Sequence, residues 1–409
     1  MMRVFCCVSL LLSLALAYYI YIPLPETVSE PWKLMVLDAA IRSLFSVGGL
    51  LQSLGLCHHI KFIRHTVQTL QVLTPVPSGG PKVHDTTFAG VQVRVYESSS
   101  VEKGKLKRGL IFLHGGGWAL GSTKEQSYDL LCRKMADELK AVIVSVEYRL
   151  VPDVHFPQQY DDCLEATKYF LRPEVLALYS VDPEHVGVSG DSAGGNLAAA
   201  VAQQVSVDDS ILVKFSAQAL IYPVLQALDF NTPSYLQNQN VPILYRAALI
   251  HFWLEYLNAD HSLVYPMLIN NHTGKDQKAL SKHRSKFDWT TLLSPEFQKN
   301  YKPVIPVKGS PKILKKVPAL LDVRAAPLLA EEEVLQRTPQ AYILTCEHDV
   351  LRDDGLMYAR RLQQAGVAVT SDHHADGFHG TLSFAFWPLK FEAGERAVLN
   401  LISWLNDHL

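Results

Sequence analysis

The chain has 409 residues, 48% of them hydrophobic and 19% charged, with a formal net charge of −2. That near-neutral balance excludes a nucleic-acid partner held through a basic surface. Six cysteines in this length exclude a disulfide-stapled scaffold, and their scattered positions lack the paired spacing of a metal site. They are expected to be mostly buried free thiols.

The first element is an uncharged run of 19 residues, Val4 to Ile22, preceded by Arg3. A helix of about 20 apolar residues crosses a bilayer core. Ala15-Leu16-Ala17 resembles a signal-peptide cleavage site. The run continues past it, however, through Tyr18, Tyr19 and Tyr21, which suit a membrane interface. A retained anchor over residues 1–24 is therefore expected. Arg3 lies before it and Glu26 and Glu30 after it, which predicts a single-pass type II membrane protein with the rest of the chain in the lumen, expected to be that of the endoplasmic reticulum.

Residues 25–107 combine helical and strand patterns and are expected to form an N-terminal cap with the first strands. Within them, Trp32 to Leu56 is apolar but contains Asp38 and Arg42. These charges argue for a core helix or a membrane-surface helix over a second span. Val91 to Ser98 alternates and predicts an antiparallel strand.

From residue 108 short apolar runs alternate with helical stretches. The runs are 110–113, 141–146, 185–190, 218–223 and 341–346; the stretches include Ser127 to Leu139 and Asp161 to Phe170. Continuous apolar strands separated by helices predict an α/β fold with a mostly parallel sheet covered on both faces. The core is expected over 108–225 and 327–409. Residues 226–326 are polar and proline-rich, and predict a cap inserted between two strands.

The chemistry concentrates in four places. Gly190-Asp191-Ser192-Ala193-Gly194 lies between a strand and an alanine-rich helix, the setting in which G-x-S-x-G presents a serine nucleophile. A serine needs a base, and the base an orienting acid, in the chain order Ser, Asp, His. Asp349 follows a strand end and is the expected acid, with Asp353 its rival; Asp353 and Asp354 read as a first-turn pair of the next helix. His379, between Gly377 and Gly380, is the expected base, with His374 its rival. Finally, the strand 110–113 runs into His114, Gly115, Gly116, Gly117 and Trp118. A glycine run there lets backbone N–H groups approach a developing oxyanion. Gly115, Gly116, Gly117 and Ala193 are the expected donors. His114 reads as a structural support of the loop, and Trp118 as packing or pocket wall.

The His114–Trp118 run, the segment Glu147–Asp162, Gly190–Gly195, Asp349 in "HDVLRDDG" and His379 in "DGFHG" together resemble the hormone-sensitive lipase family of α/β hydrolases, in its arylacetamide deacetylase-like branch. The resemblance covers roughly residues 85 to 409. It implies the α/β-hydrolase fold with a cap, a triad of Ser192, Asp349 and His379, and hydrolysis of an ester or arylamide without a metal or organic cofactor. Neutral lipid esters, cholesteryl or glyceride, are the alternative substrates, and a non-catalytic ligand-binding role the alternative function. Some relatives carry Cys after the tryptophan of HGGGW, which the resemblance pairs with the position of Cys346; Ala119 stands there in this chain. Asn271-His272-Thr273 is a glycosylation sequon in a stretch that reads as exposed loop. Oligomeric state is not legible.

Overall fold

The computed structural model describes residues 2–71, 79–99, 104–299, 301–386 and 388–409. Eight strands form one sheet: β1 Lys82–Phe88, β2 Val91–Glu97, β3 Lys107–Leu113, β4 Ala141–Val146, β5 Val181–Asp191, β6 Ala217–Ile221, β7 Gln340–His348 and β8 Val369–Phe378. Their order is β1-β2-β4-β3-β5-β6-β7-β8. The pairs β1–β2 and β2–β4 are antiparallel and all others parallel. The fold is thus an α/β hydrolase.

Side chains alternate across the sheet and each face has its own core. Ile111 and Leu113 pack with Val144 and Val188 against the helix Ala193–Val207, through Leu197 and Val201. Leu110 and Phe112 face the other way, toward Leu131 and Met135 of helix Gln126–Leu139 and Leu401 and Leu405 of helix Glu392–His408. Burial on both faces is why these strands are apolar throughout.

The segment between β6 and β7 contains no strand among its described residues. It is a chain of short helices and 3-10 turns, of which Arg246–Tyr256 is the longest. Two buried carboxylates tie its root to the helix Arg352–Gln364. Asp354 accepts the Leu225 N–H at 2.9 Å and the Gln226 side chain at 3.0 Å. Asp353 accepts the Ser234 N–H at 2.7 Å. The two are first-turn residues of their helix, but they serve the insertion.

The N-terminal part contributes helices Met2–Ile20, Pro31–Ser53 and His59–Gln71. The second buries Leu34 and Asp38 on its inner side, while Trp32, Val36 and Leu50 stay exposed.

Two expectations need correction. Only Cys132, Cys163 and Cys346 are buried; Cys6, Cys7 and Cys57 are exposed, because they sit on surfaces the fold leaves uncovered. All six are free thiols. The sequon is not an exposed loop either. Asn271–Thr273 is a 3-10 turn with Asn271 half-buried and His272 and Thr273 buried. The Asn271 carbonyl accepts the Ser310 N–H at 2.7 Å, and the His272 ring bonds the Ala227 carbonyl at 3.0 Å. Polar residues here look inward to satisfy the insertion's own backbone.

Candidate active site

β5 ends at Asp191, and Ser192 turns the chain into the next helix with φ 54° and ψ −118°. Its N–H is held by the Ile221 carbonyl at 2.9 Å. The turn leaves no room behind it. A Cβ on Gly194 would lie 2.0 Å from the Leu113 carbonyl oxygen, so only glycine fits. Ser192 is thereby lifted above the ends of β3 and β5.

Asp349 and His379 arrive from the two neighbouring strand ends. Asp349 directly follows β7, and its Oδ1 accepts the Leu351 N–H at 2.8 Å. His379 directly follows β8, whose register with β7 shifts between Cys346 and His348. The His379 Nδ1 lies 2.8 Å from Asp349 Oδ2, and its Nε2 lies 2.9 Å from Ser192 Oγ. A carboxylate at Nδ1 fixes the proton there and leaves Nε2 to accept from the serine hydroxyl. All three residues are buried.

The rivals are placed elsewhere. His374 bonds Asp372 at 3.1 Å through its Nε2, and Asp353 is occupied by Ser234 and Arg352.

The glycine loop differs from expectation at one position. The Gly115 N–H donates to Asp191 Oδ1 at 2.8 Å, with the Tyr128 hydroxyl 3.0 Å away. It is therefore a tether of the loop and not a free donor. A Cβ there would meet Asp191 Oδ2 at 2.5 Å. Gly116 and Gly117 line the cavity above Ser192, and no described hydrogen bond uses their N–H groups or that of Ala193. Gly116 sits at φ +106°, a conformation glycine adopts without strain.

His114 supports this loop from behind. Its Nδ1–H donates to the Gly115 carbonyl at 2.9 Å, and its ring stacks on Tyr148 at 4.4 Å. The Tyr148 hydroxyl donates to the His114 carbonyl at 2.6 Å. Complete burial lowers the His114 pKa, which keeps the ring neutral. Trp118 is buried and stacks on Tyr256 at 4.1 Å, which joins the loop to the insertion.

Asp191 was inside the sequence motif without a role of its own. Burial raises its pKa to about 6, partly offset by the Gly115 N–H and by the nearby His379. Tyr128, its other partner, had no sequence signal.

Above the serine lies a cavity of about 250 Å³. Its floor carries Ser192, His379, Gly116 and Gly117. Its walls are almost entirely apolar. Ile41 and Phe45 come from one N-terminal helix, Ile63 and Val67 from the next, and Leu249 and Phe252 from the insertion. A serine hydroxyl, an imidazole and two to three backbone N–H groups thus converge on a mostly apolar pocket, an arrangement able to perform acyl transfer.

The sequence pattern of the α/β-hydrolase fold matches residues 110–281 and 263–383. The chain belongs to the α/β-hydrolase family. Within it the chain is a member of the hormone-sensitive lipase family. It is 54% identical to neutral cholesterol ester hydrolase 1 of Bos taurus over 404 residues, covering 98% of this chain and 99% of that protein. It is 45% identical to arylacetamide deacetylase of Oryctolagus cuniculus, covering 96% of both. Among solved structures, it is similar to a thermostable esterase from Pseudomonas putida ECU1011, with a TM-score of 0.63, 25% identity, and coverage of 90% of this chain and 97% of that one.

Proposed function

We propose that this hydrolase cleaves carboxylic esters through an acyl-enzyme on Ser192. The observation that carries this reading is the continuous line from Asp349 through His379 to Ser192 Oγ, ending in an apolar cavity. Ser192 Oγ attacks the ester carbonyl while its proton passes to His379 Nε2. Charge on the carbonyl oxygen is met by the N–H groups of Gly116, Gly117 and Ala193. His379 returns the proton to the departing alkoxide, which leaves as the alcohol. Water then attacks the acyl-serine with His379 again taking a proton, and the carboxylic acid departs. A role as a non-catalytic binder is opposed by the hydrogen bond between Ser192 and His379, since binding alone needs no activated hydroxyl.

The substrate is lipophilic. The apolar walls favour long acyl or ring systems, and they accord with the similarity to a neutral cholesterol ester hydrolase. Arylacetamides are the second class, supported by the similarity to arylacetamide deacetylases. Helix Met2–Ile20 anchors the chain in the membrane: its apolar side chains, Leu11, Leu12 and Leu16 among them, are exposed. The charge order around it supports a catalytic part in the lumen, as in the endoplasmic reticulum, where the half-buried Asn271 is a glycosylation candidate.

The test is Ser192→Ala in the full-length chain. It should abolish fluorophosphonate labelling and hydrolysis of short aryl esters, with unchanged thermal unfolding. Retained labelling would place the nucleophile elsewhere. A panel of cholesteryl, glyceride and arylacetamide substrates on the unmodified enzyme ranks the two substrate classes.

A further inference from the structure

Helix Pro31–Ser53 has two apolar faces. The inner one supplies Ile41, Leu44 and Phe45 to the cavity. The outer one carries Trp32, Val36, Val47 and Leu50, with Leu54 continuing the line one residue past its end; all five are 46–64% exposed. Residues at 32, 36, 40, 43, 47, 50 and 54 recur every three or four positions and form a single stripe. Ser43 is the only hydroxyl in it, and it bears no charge. Stripes of this kind in water-facing positions are rare on a soluble protein and mark an interaction surface.

What covers the stripe follows from where the N-terminal helix meets it. The Tyr19 hydroxyl bonds Ser43 Oγ at 3.0 Å, in the middle of the stripe. The Arg42 guanidinium lies 4.5 Å over the Tyr19 ring and donates to the Tyr19 carbonyl at 2.8 Å. Arg42 also pairs with buried Asp38, whose other oxygen accepts the Tyr245 hydroxyl of the insertion at 2.6 Å. The connection between the two helices is tied to the sheet: the Ser29 N–H donates to the Asp376 carbonyl at 3.1 Å, and Thr27 bonds His348 at 2.8 Å. By length and composition the second helix could cross a bilayer, but Asp38 holds it to the cap. Its stripe stands at the level where the tyrosines end the first helix, the level of a membrane interface.

We infer that the outer face of helix Pro31–Ser53 lies in the interfacial layer of the membrane that holds helix Met2–Ile20, so that the cavity on its inner face receives lipophilic esters from the bilayer. An in-plane helix with its apolar face sunk into the acyl boundary is an established mode of membrane contact. The inference rests on the anchoring and ester hydrolysis proposed above.

The full-length enzyme, with Cys6, Cys7 and Cys57 changed to Ser and Leu50→Cys bearing an environment-sensitive fluorophore, is reconstituted in phosphatidylcholine vesicles. A label replacing Asp209, exposed beyond the far end of helix Ala193–Val207, serves as control. The label at position 50 should be quenched by nitroxide on the lipid chains and shielded from aqueous iodide, and the control the reverse. Val36→Glu with Leu50→Glu should lower hydrolysis of a vesicle-embedded cholesteryl ester at least tenfold, and leave hydrolysis of a water-soluble aryl ester within twofold. Iodide access at position 50, or equal effects on both substrates, overturns the inference. So does shielding without lipid quenching, which a second copy of the chain on the stripe would give. Carbonate release of the protein would instead remove the anchor, and loss of soluble-ester activity in the unmodified enzyme would remove the hydrolase reading.

Discussion

Asp191 places a negative charge beside the reacting groups without touching the reacting atoms. Its carboxylate is fully buried, fixes the Gly115 N–H, and is near enough to His379 for their charges to attract. In the proposed mechanism positive charge develops on His379 in the transition state, and a fixed negative charge nearby stabilises it. Asp191→Asn keeps the shape and an oxygen for Gly115 but removes the charge. It should lower kcat/KM on a soluble ester by about tenfold, the equivalent of roughly 1.4 kcal/mol. Fluorophosphonate labelling should slow in proportion and the fold should persist; a variant with unchanged kinetics would reduce Asp191 to a tether. Gly116→Ala tests the loop itself. Its Cβ would lie 2.4 Å from the Leu120 carbonyl oxygen, so the loop must shift and its donors with it. Loss of one oxyanion donor costs about 100-fold or more in kcat. KM should change little, and far-UV circular dichroism should not change.

The elements around Asp349 are clasped by the start of the insertion. The Asn238 amide donates to the Glu347 carbonyl at 2.8 Å and the Asp349 carbonyl at 3.0 Å, while Ser234 Oγ donates to the Val350 carbonyl at 2.6 Å. Asn238→Ala removes the amide from the part-buried Glu347 carbonyl and from the Asp349 carbonyl, which keeps the Arg352 N–H at 3.2 Å, at a cost of about 1 kcal/mol. A lower melting temperature is expected, together with a several-fold fall in kcat from a misaimed Asp349 and little change in KM. Unaltered kcat alongside lost stability would confine Asn238 to folding. Such contacts explain what the sequence does and does not reveal. β3 to β7 were legible because burial on both faces leaves uninterrupted apolar runs. β1 was not singled out, because an edge strand reading "KVHDTTF" keeps polar residues on its outer side. Ser192, Asp349 and His379, which the structure brings together, stood out because each directly follows a strand, with glycines flanking Ser192 and His379 but not Asp349. The engagement of the Gly115 N–H could not, since its partner lies 76 residues away. The insertion was opaque for a similar reason: its helices are short, and their buried faces are defined by distant residues rather than by local periodicity.

At the scale of the whole molecule, several buried carboxylates are held above their ordinary pKa. Burial raises Asp229 to about 6 and Asp354 to about 7, against the hydrogen bonds that favour their ionised forms. A carboxyl whose folded pKa is raised stabilises the fold fully below its unfolded value of about 3.9, and that contribution is lost as pH rises through the folded value. His272, lowered by burial to about 4, acts oppositely, but only below its unfolded value of about 6.5. Between pH 6.5 and 8 the Asp354 contribution is thus falling and His272 is silent. The melting temperature in detergent should decline over that window, and Asp354→Asn should flatten the decline by about 2 °C. Parallel slopes for the two proteins would assign the pH dependence to other groups.

The buried pair Asp353 and Asp354 also bears on how new specificities arise on this scaffold. The insertion is riveted to the same helix start that positions the triad's acid, so exchanging it as a cassette would unsettle the chemistry along with the pocket. Divergence toward other esters is open instead to piecemeal change at wall positions such as Leu244, Leu249 and Phe252, which line the cavity and bear none of the rivets. A graft of a foreign cap should succeed only when residues 225–238 of this chain are kept beneath it.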